Sequence, residues 1–367
     1  MGIGNALPPE LVRIIVEDAS ADRAALHALA STSRLFNAEA TRLLYASMTD
    51  SEGTTHYKFL RKIQNNLELA RLVRIYHLPA NQNTQRGSLG RLLARCLPLM
   101  VNLEELAVPK IIWEDGIFPP QIVKKCPFYL KRFVWIPFSD DHGDARRFLE
   151  CESNLTHLYW GPRDVPSLNE GALPNLISLG ANAEVANQIL HAQAITTFHY
   201  RLFRDSYYIN FPSERQYAGD PELIASLLQR EIPSLRTLSF DVVPTFILQP
   251  FREVELKFFR HVQVLYLLEA RLQNFVNMAP YLRKFPALKE LIATPQLPLT
   301  VARSAAIDSD VLQLFKVNPS LKQVSVLWEN PRLYKQWILG CPQDQLVQLS
   351  EDWIFERPRP EEDIYFY

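Results

Sequence analysis

One short segment of the chain has residue types that could bind a metal ion. Three carboxylates and one imidazole are crowded into the run Asp140-Asp141-His142-Gly143-Asp144, and such groups are common ligands of divalent cations. An acidic loop ahead of a helix explains the same residues, because Asp144 could cap a helix over residues 145–149. We favour the loop, so no metal site is predicted.

Sequence motifs of the common enzyme classes are missing. The chain has only 12 glycines, and it contains no glycine-rich phosphate loop, no G-x-S-x-G turn and no H-E-x-x-H pattern. Its eight histidines are scattered, and no spacing identifies a general base with an orienting partner. The four cysteines are widely spaced, which favours reduced, buried thiols over a zinc site. We therefore expect a protein that is not an enzyme and that needs no cofactor.

The amino-acid composition limits the classes of partner that we expect. Lys and Arg number 39 against 40 Asp and Glu, for a net charge of -1, and no basic run stands out, so nucleic acid is not an expected partner. The longest apolar stretches, such as 262–270, are too short to cross a bilayer, so no membrane anchor is expected. Residues 1–6 lack the form of a secretory signal. Together with the few cysteines, this predicts a cytoplasmic or nuclear protein.

A recurring apolar pattern dominates the chain beyond residue 50. At 367 residues the chain exceeds the usual size of one hydrophobic core, so repeats are expected. The pattern L-x-x-L-x-(apolar) recurs mostly at intervals of 19 to 33 residues, which bracket the leucine-rich-repeat period. Its copies are Leu72/Ile75, Leu103/Leu106/Val108, Leu130/Phe133/Trp135, Leu155/Leu158/Trp160, Leu176/Leu179, Ile195/Phe198/Tyr200, Leu235/Leu238/Phe240, Val262/Leu265/Leu267, Leu288/Leu291/Ala293 and Leu321/Val324/Val326.

Four prolines mark positions where a helix should end and a strand should begin. Pro174, Pro233, Pro286 and Pro319 each stand two residues before the first leucine of a copy, and proline both stops a helix and donates nothing to a strand ladder. Stacked strand-and-helix units would share one continuous core. A doubly wound α/β domain would also alternate strands and helices, but no glycine-rich phosphate turn supports it.

The N-terminal 50 residues predict three short helices. Leu11, Ile14 and Ile15 fall on one face of the first helix, behind two prolines that suit a first helical turn. A polar break over residues 19–22 precedes a second helix, and a third runs over residues 36–44. Such a small unit buries little surface alone, which favours packing against something else.

This N-terminal segment resembles the F-box. The similarity rests on the opening Leu7-Pro8-x-Glu10-Leu11, on Ile14 and Ile15, and on the run from Leu26 to Phe36, in which a Ser-Arg pair shortly precedes an aromatic residue. The later repeats resemble the leucine-rich-repeat tail of F-box substrate receptors. The expected fold is α/β: a helical F-box-like module over residues 1–50, a leucine-rich-repeat-like solenoid with parallel strands inside and helices outside over 51–350, and a capping segment or tail over 351–367.

The resemblance implies a non-catalytic substrate-recognition subunit of an SCF-type cullin-RING ubiquitin ligase. Its N-terminal helices would dock a Skp-family adaptor, and its repeats would hold a protein substrate whose identity the sequence does not reveal. The implied adaptor contacts are Leu7, Pro8, Leu11, Ile14, Ile15, Leu26, Leu29 and Phe36. The residues expected to face outward from the strands, and so to bind substrate, include Arg74, Tyr76, Arg132, His157, Tyr159, His199 and Tyr266.

Two other classes of protein stay open at this point. The chain could be a leucine-rich-repeat scaffold with no ubiquitin link, in which the N-terminal helices only cap the repeats and Leu11 is buried. An α/β hydrolase or transferase without familiar motifs would instead show a deep pocket lined by titratable groups. An aromatic, charged insertion over residues 200–219 is either a binding loop or a hairpin that covers an edge.

Overall fold

Short strands alternate with helices along the chain, and the strands run mostly parallel, which makes the fold α/β. The computed structural model describes residues 7–50, 52–79, 86–108, 127–135, 144–161, 168–169, 171–190, 194–200, 221–240, 256–270, 279–295, 301–327, 333–341 and 345–348. The insertion over 201–219, the acidic run over 140–143 and the tail over 351–367 lie outside these residues.

The described residues form two compact units that divide between Asn154 and Leu155. This division differs from the boundaries at residues 50 and 350 that the sequence analysis predicts. Each unit is described by itself.

The first unit begins with three helices and continues into short strands. Its helices are α1 (Pro9–Asp18), α2 (Arg23–Ala30), α3 (Arg34–Ala46), α4 (Gly53–Gln64), α5 (Leu67–Leu72), α6 (Arg86–Cys96) and α7 (Asp144–Cys151). Its strands are β1 (Ser47–Met48), β2 (Ile75–His77), β3 (Glu105–Val108) and β4 (Arg132–Trp135). These four strands pair in chain order, and every pair is parallel.

The second unit repeats the same arrangement over a longer stretch. Its strands are β5 (His157–Trp160), β6 (Ser178–Ala181), β7 (Thr197–Tyr200), β8 (Thr237–Phe240), β9 (Val264–Ala270), β10 (Glu290–Pro295), β11 (Gln323–Leu327), β12 (Leu333–Ile338) and β13 (Gln345–Gln348). Its helices are α8 (Ala183–Ile189), α9 (Pro221–Gln229) and α10 (Val301–Val317). Strands β5 to β11 pair in chain order and in parallel.

The recurring apolar pattern forms the core. From Leu103 onward, every predicted copy is buried. Within each unit, the second apolar residue of a copy stands opposite that of the next copy, as Leu106 does opposite Phe133 and Leu238 opposite Leu265. Because strand residues alternate between two faces, this shared register places the apolar residues of each unit on one face of its strands. This arrangement is compatible with a repeat solenoid.

The first copy of the pattern lies one residue later than predicted. Tyr76, and not Ile75, stands opposite the core residue Leu106, and Val73 and Tyr76 are both fully buried. A one-residue shift in a strand turns every side chain to the other face. Tyr76 therefore belongs to the core and not to the outward-facing row.

Two further features bear on the predicted topology. A doubly wound sheet reverses its strand order at a switch point, whereas the described strands of each unit follow chain order. The last two strands depart from the all-parallel expectation, because β12 pairs antiparallel with both β11 and β13. The parallel arrangement thus ends at β11, and a hairpin follows it.

Candidate functional site

Helix α1 is apolar on two sides. Val12 and Val16 are buried, while Leu11, Ile14 and Ile15 are 46%, 60% and 41% exposed. Residues four apart lie on one helical face, so the buried and exposed sets occupy different faces. An amphipathic helix that only covers a core needs one apolar face. The second face of α1 is therefore a candidate binding surface, which we call the α1 outer face and define as Leu7, Leu11, Ile14 and Ile15.

The buried side of α1 completes a small core among the first three helices. Its buried members are Val12, Val16, Leu26, Ala40 and Leu44, with Leu29 and Phe36 packed against them at the edge. Leu26 is only 3% exposed, because α2 turns it into this core. Leu26 is thus removed from the predicted adaptor contacts, and Leu29 and Phe36 present only part of their surface. Pro8 is exposed at the start of α1.

Side-chain caps fix where the next two helices begin. The carboxylate of Asp22 accepts hydrogen bonds from the amides of Ala24 and Ala25 at 2.8 and 3.1 Å. The hydroxyl of Ser33 accepts from the amide of Phe36 at 3.3 Å. These bonds satisfy amides that a helix leaves unpaired at its first turn. The Ser33-Arg34 pair therefore marks the beginning of α3.

An ion-pair cluster ties α1 to α3. Glu17 accepts from Arg13 at 2.9 Å and from Arg42 on α3 at 3.0 Å. The hydrogen bond from Arg13 is the largest influence that lowers the pKa of Glu17. All three side chains are solvent-exposed, so the cluster orients the helices more than it stabilises them.

In the first unit, charged side chains of neighbouring strands pair with one another. They stand at the strand positions that alternate with the core positions, which we call the outward row. Glu105 accepts from His77 at 2.5 Å and from Arg132 at 3.4 Å, so one carboxylate links β2, β3 and β4. Just before these strands, Glu104 accepts from Arg74 at 2.5 Å and from Lys131 at 2.6 Å. The hydrogen bond from Lys131 is the main cause that lowers the pKa of Glu104. The basic residues in these two clusters are matched by carboxylates of the same unit.

In the second unit, the outward-facing strand residues near the middle of the strands are themselves buried by side chains of neighbouring strands. Nδ1 of His199 lies 3.0 Å from the hydroxyl of Ser239, and Nε2 lies 3.5 Å from that of Ser178. The ring of Tyr159 lies over Gly180 on the next strand, where a Cβ atom would be 2.3 Å from Cδ2 of the ring. His199 and Tyr159 are each 2% exposed.

These contacts separate the residues predicted to bind substrate into a buried group and a group that stays accessible. Tyr76, Tyr159 and His199 are removed, because the first lies in the core and the other two are enclosed on the outward row. Arg74 is exposed, and three members of the set are half-buried. The half-buried members are Arg132, His157 and Tyr266. The retained residues come from both units.

Sequence reasoning missed a row of residues at one end of the strands of the second unit, where each member immediately precedes a strand except Leu339, which follows the antiparallel strand β12. We call it the pre-strand row; each member's amide donates to the carbonyl of the one before, at 2.7 to 2.9 Å. Its members in order are Thr156, Ile177, Thr196, Arg236, Gln263, Lys289, Lys322 and Leu339. The signal was present in the sequence, because a basic residue follows the leucine in each of 233–236, 286–289 and 319–322.

Other kinds of site were sought in the part of the chain that the structure describes. It contains no group of three or more His, Cys, Asp or Glu side chains able to hold a metal ion, and no helix there has the length and apolar character needed to span a bilayer. Cys96 is buried, as expected, and burial raises its pKa to about 12, whereas Cys151 and Cys341 are exposed. No family model matches the chain, and no curated protein matches it significantly.

Proposed function

We propose that the chain is a substrate-recognition subunit of an SCF-type cullin-RING ubiquitin ligase. The α1 outer face docks a Skp-family adaptor, and the strand-and-helix repeats hold a protein substrate. The proposal is carried by one observation: Leu11, Ile14 and Ile15 are exposed although the opposite side of the same helix already fills the local core. An exposed apolar face on a folded unit favours a protein partner.

The resemblance to the F-box supplies the identity of that partner. The exposed residues Leu7, Leu11, Ile14 and Ile15 all belong to the segment that carries the resemblance. The receptor catalyses nothing itself. It holds the substrate near the ubiquitin-carrying enzyme, and so raises the effective concentration of the reacting groups.

A second candidate function is a repeat scaffold without a ubiquitin link. It is favoured by the continuity of the N-terminal helices with the sheet: α3 ends at Ala46, β1 begins at the next residue, and β1 pairs with β2. In this scaffold the helices cap the first strands. It offers no role for the α1 outer face, so the receptor remains the better account.

The two functions are separated by an adaptor-binding experiment on the full chain. The purified chain is immobilised and incubated with a purified Skp-family adaptor, and bound adaptor is quantified for the wild type and for Leu11→Asp combined with Ile14→Asp. We expect the double variant to lose at least about tenfold in affinity, because truncating or charging apolar anchors removes most of the energy of such a patch.

A matched control makes the same chemical change elsewhere. Leu67→Asp combined with Leu312→Asp also charges two exposed leucines, 47% and 59% exposed, on α5 and α10. This control should bind adaptor like the wild type, and circular dichroism should show all three proteins folded. Equal adaptor recovery by the α1 double variant and the wild type would eliminate the ubiquitin-ligase function and leave the scaffold.

A further inference from the structure

The pre-strand row of the second unit carries three basic side chains that have no carboxylate partner among the residues that the structure describes. Arg236, Lys289 and Lys322 are exposed, and no carboxylate of the described residues forms an ion pair with any of them. The side chains of two of them donate to uncharged groups: Arg236 donates to the carbonyl of Pro233 at 2.6 Å, and Lys289 donates to Gln263 at 3.0 Å.

At the corresponding position in the first unit, the basic residues are paired with a carboxylate. There, Glu104 stands between Arg74 and Lys131 and pairs with both. Beside the pre-strand row itself, Arg260 and His261 share the carboxylate of Glu231 at 3.1 and 2.9 Å. Basic residues at these comparable positions are thus paired with carboxylates, and the three row cations differ from them.

An exposed apolar residue lies near each end of the row, where Ile177 follows Thr156 and Leu339 is the last member. Ile177 is 45% exposed and Leu339 is 53% exposed. Six ladder steps separate them, and neighbouring strands lie about 4.8 Å apart, so the stretch between them extends for about 29 Å. An extended peptide of about nine residues has this length at about 3.3 Å per residue. The stretch from Ile177 to Leu339 thus has the size of a linear peptide site, with apolar ends and a cationic centre.

We propose that the pre-strand row binds an extended acidic segment of a protein partner. Carboxylates near the middle of the segment pair with Arg236, Lys289 and Lys322, and apolar side chains at its ends contact Ile177 and Leu339. The assignment of this partner as the ubiquitination substrate rests on the proposed function. The binding chemistry itself does not, because the adaptor surface lies on α1.

A nucleic acid is the weaker fit to the same charges. Strands of nucleic acid are held by longer tracks of cations, with aromatic side chains on which bases stack. From Ile177 to Leu339 the row offers three cations, a threonine and a glutamine between two aliphatic residues. An acidic peptide uses all of these features.

The test measures binding of a labelled peptide to the full chain without any adaptor. The probe is Leu-Ser-Glu-Ser-Glu-Ser-Glu-Ser-Leu, followed by fluorescence anisotropy at low salt. We expect the same peptide with glutamine in place of each glutamate to bind at least about tenfold more weakly, and added salt to weaken the acidic peptide. Replacing the two terminal leucines by serine should also reduce affinity.

Variants of the chain locate the binding. Lys289→Gln combined with Lys322→Gln should weaken the acidic peptide about tenfold. Lys58→Gln combined with Arg95→Gln makes the same charge change on α4 and α6 and should leave binding unchanged. Equal weakening by both pairs would overturn the site, as would an oligothymidylate that binds as tightly as the peptide and competes with it. Loss of adaptor binding in the α1 double variant, with peptide binding retained, separates this proposal from the first.

Discussion

Nδ1 of His56 on α4 lies 3.0 Å from the hydroxyl oxygen of Tyr76 on β2, and both side chains are fully buried. Nε2 of the same imidazole lies 2.7 Å from the carbonyl oxygen of Asp50, which can only accept. Nε2 therefore carries the proton, and in the neutral ring Nδ1 accepts from the Tyr76 hydroxyl. One neutral histidine joins a loop, a helix and a strand of the first unit.

This arrangement predicts a loss of stability in mild acid. Burial lowers the pKa of His56 below its ordinary value of 6.5, so the unfolded chain binds the proton more readily than the folded chain does. The free energy of unfolding should fall as the pH drops below about 6.5 and level off below the folded pKa, by at most about 1.4 kcal/mol per pH unit. Urea unfolding at pH 7.5 and 5.5 should show a smaller difference for His56→Gln than for the wild type. Identical differences would contradict the neutral assignment.

Glu152 should have the opposite pH dependence. Its side chain is buried and accepts a hydrogen bond from the amide of Leu130 at 3.0 Å. Burial raises the pKa of this carboxyl to about 7, so between its ordinary pKa of about 4.5 and about 7 the folded chain binds more protons than the unfolded chain. Stability from this group is therefore lost as the pH rises through that window. Glu152→Gln should become more stable relative to the wild type at pH 8 than at pH 5; an unchanged difference would argue against a buried, titrating carboxyl.

Periodicity predicted the core well wherever only one register fitted. From Leu103 onward the apolar spacing has a single good alignment, and those positions are buried. In the first copy, Leu72/Ile75 and Val73/Tyr76 both fit the pattern. The structure selects the pair with tyrosine, because His56 receives its hydroxyl in the core. A pattern of apolar residues does not contain that long-range hydrogen bond.

The candidate sites were predicted less completely, for physical reasons. The spacing of Leu11, Ile14 and Ile15 placed them on one face, but periodicity does not say which of two apolar faces is buried. Alternation placed His199 outward, yet the hydroxyls of two neighbouring strands enclose it. Such contacts join residues far apart in the chain, and only the register of the strands reveals them.

Gly180 is predicted to be sensitive even to alanine. Its added Cβ would lie 2.3 Å from Cδ2 of Tyr159, whose ring is enclosed at 2% exposure. Overpacking of this kind usually costs about 1–3 kcal/mol, so Gly180→Ala should lower the urea midpoint clearly. The same substitution made in the Tyr159→Leu background should cost less, because the ring is gone. Equal costs in the two backgrounds would show that the ring is not the obstacle.

Asn318 is expected to be among the most sensitive polar positions of the second unit. It is 2% exposed, and its amide nitrogen donates to the carbonyls of Leu282 and Phe285 at 2.8 and 3.0 Å. Its oxygen accepts from the amide of Ser320 at 3.0 Å. Asn318→Ala removes all three bonds and leaves the carbonyls of Leu282 and Phe285 and the amide of Ser320 each with one partner fewer, so we expect a loss of about 2–3 kcal/mol in the free energy of unfolding.

Two comparisons make the Asn318 prediction specific to hydrogen bonding. Asn318→Asp keeps the volume and the acceptor but sets a carboxylate against two carbonyl oxygens, so at pH 7 it should be at least as damaging as alanine. Asn182→Ala removes a half-buried helix cap, whose oxygen accepts from the amide of Val185 at 2.9 Å, and should cost only about 1 kcal/mol. A harmless Asn318→Asp would mean that volume, and not donation to Leu282 and Phe285, is what this position requires.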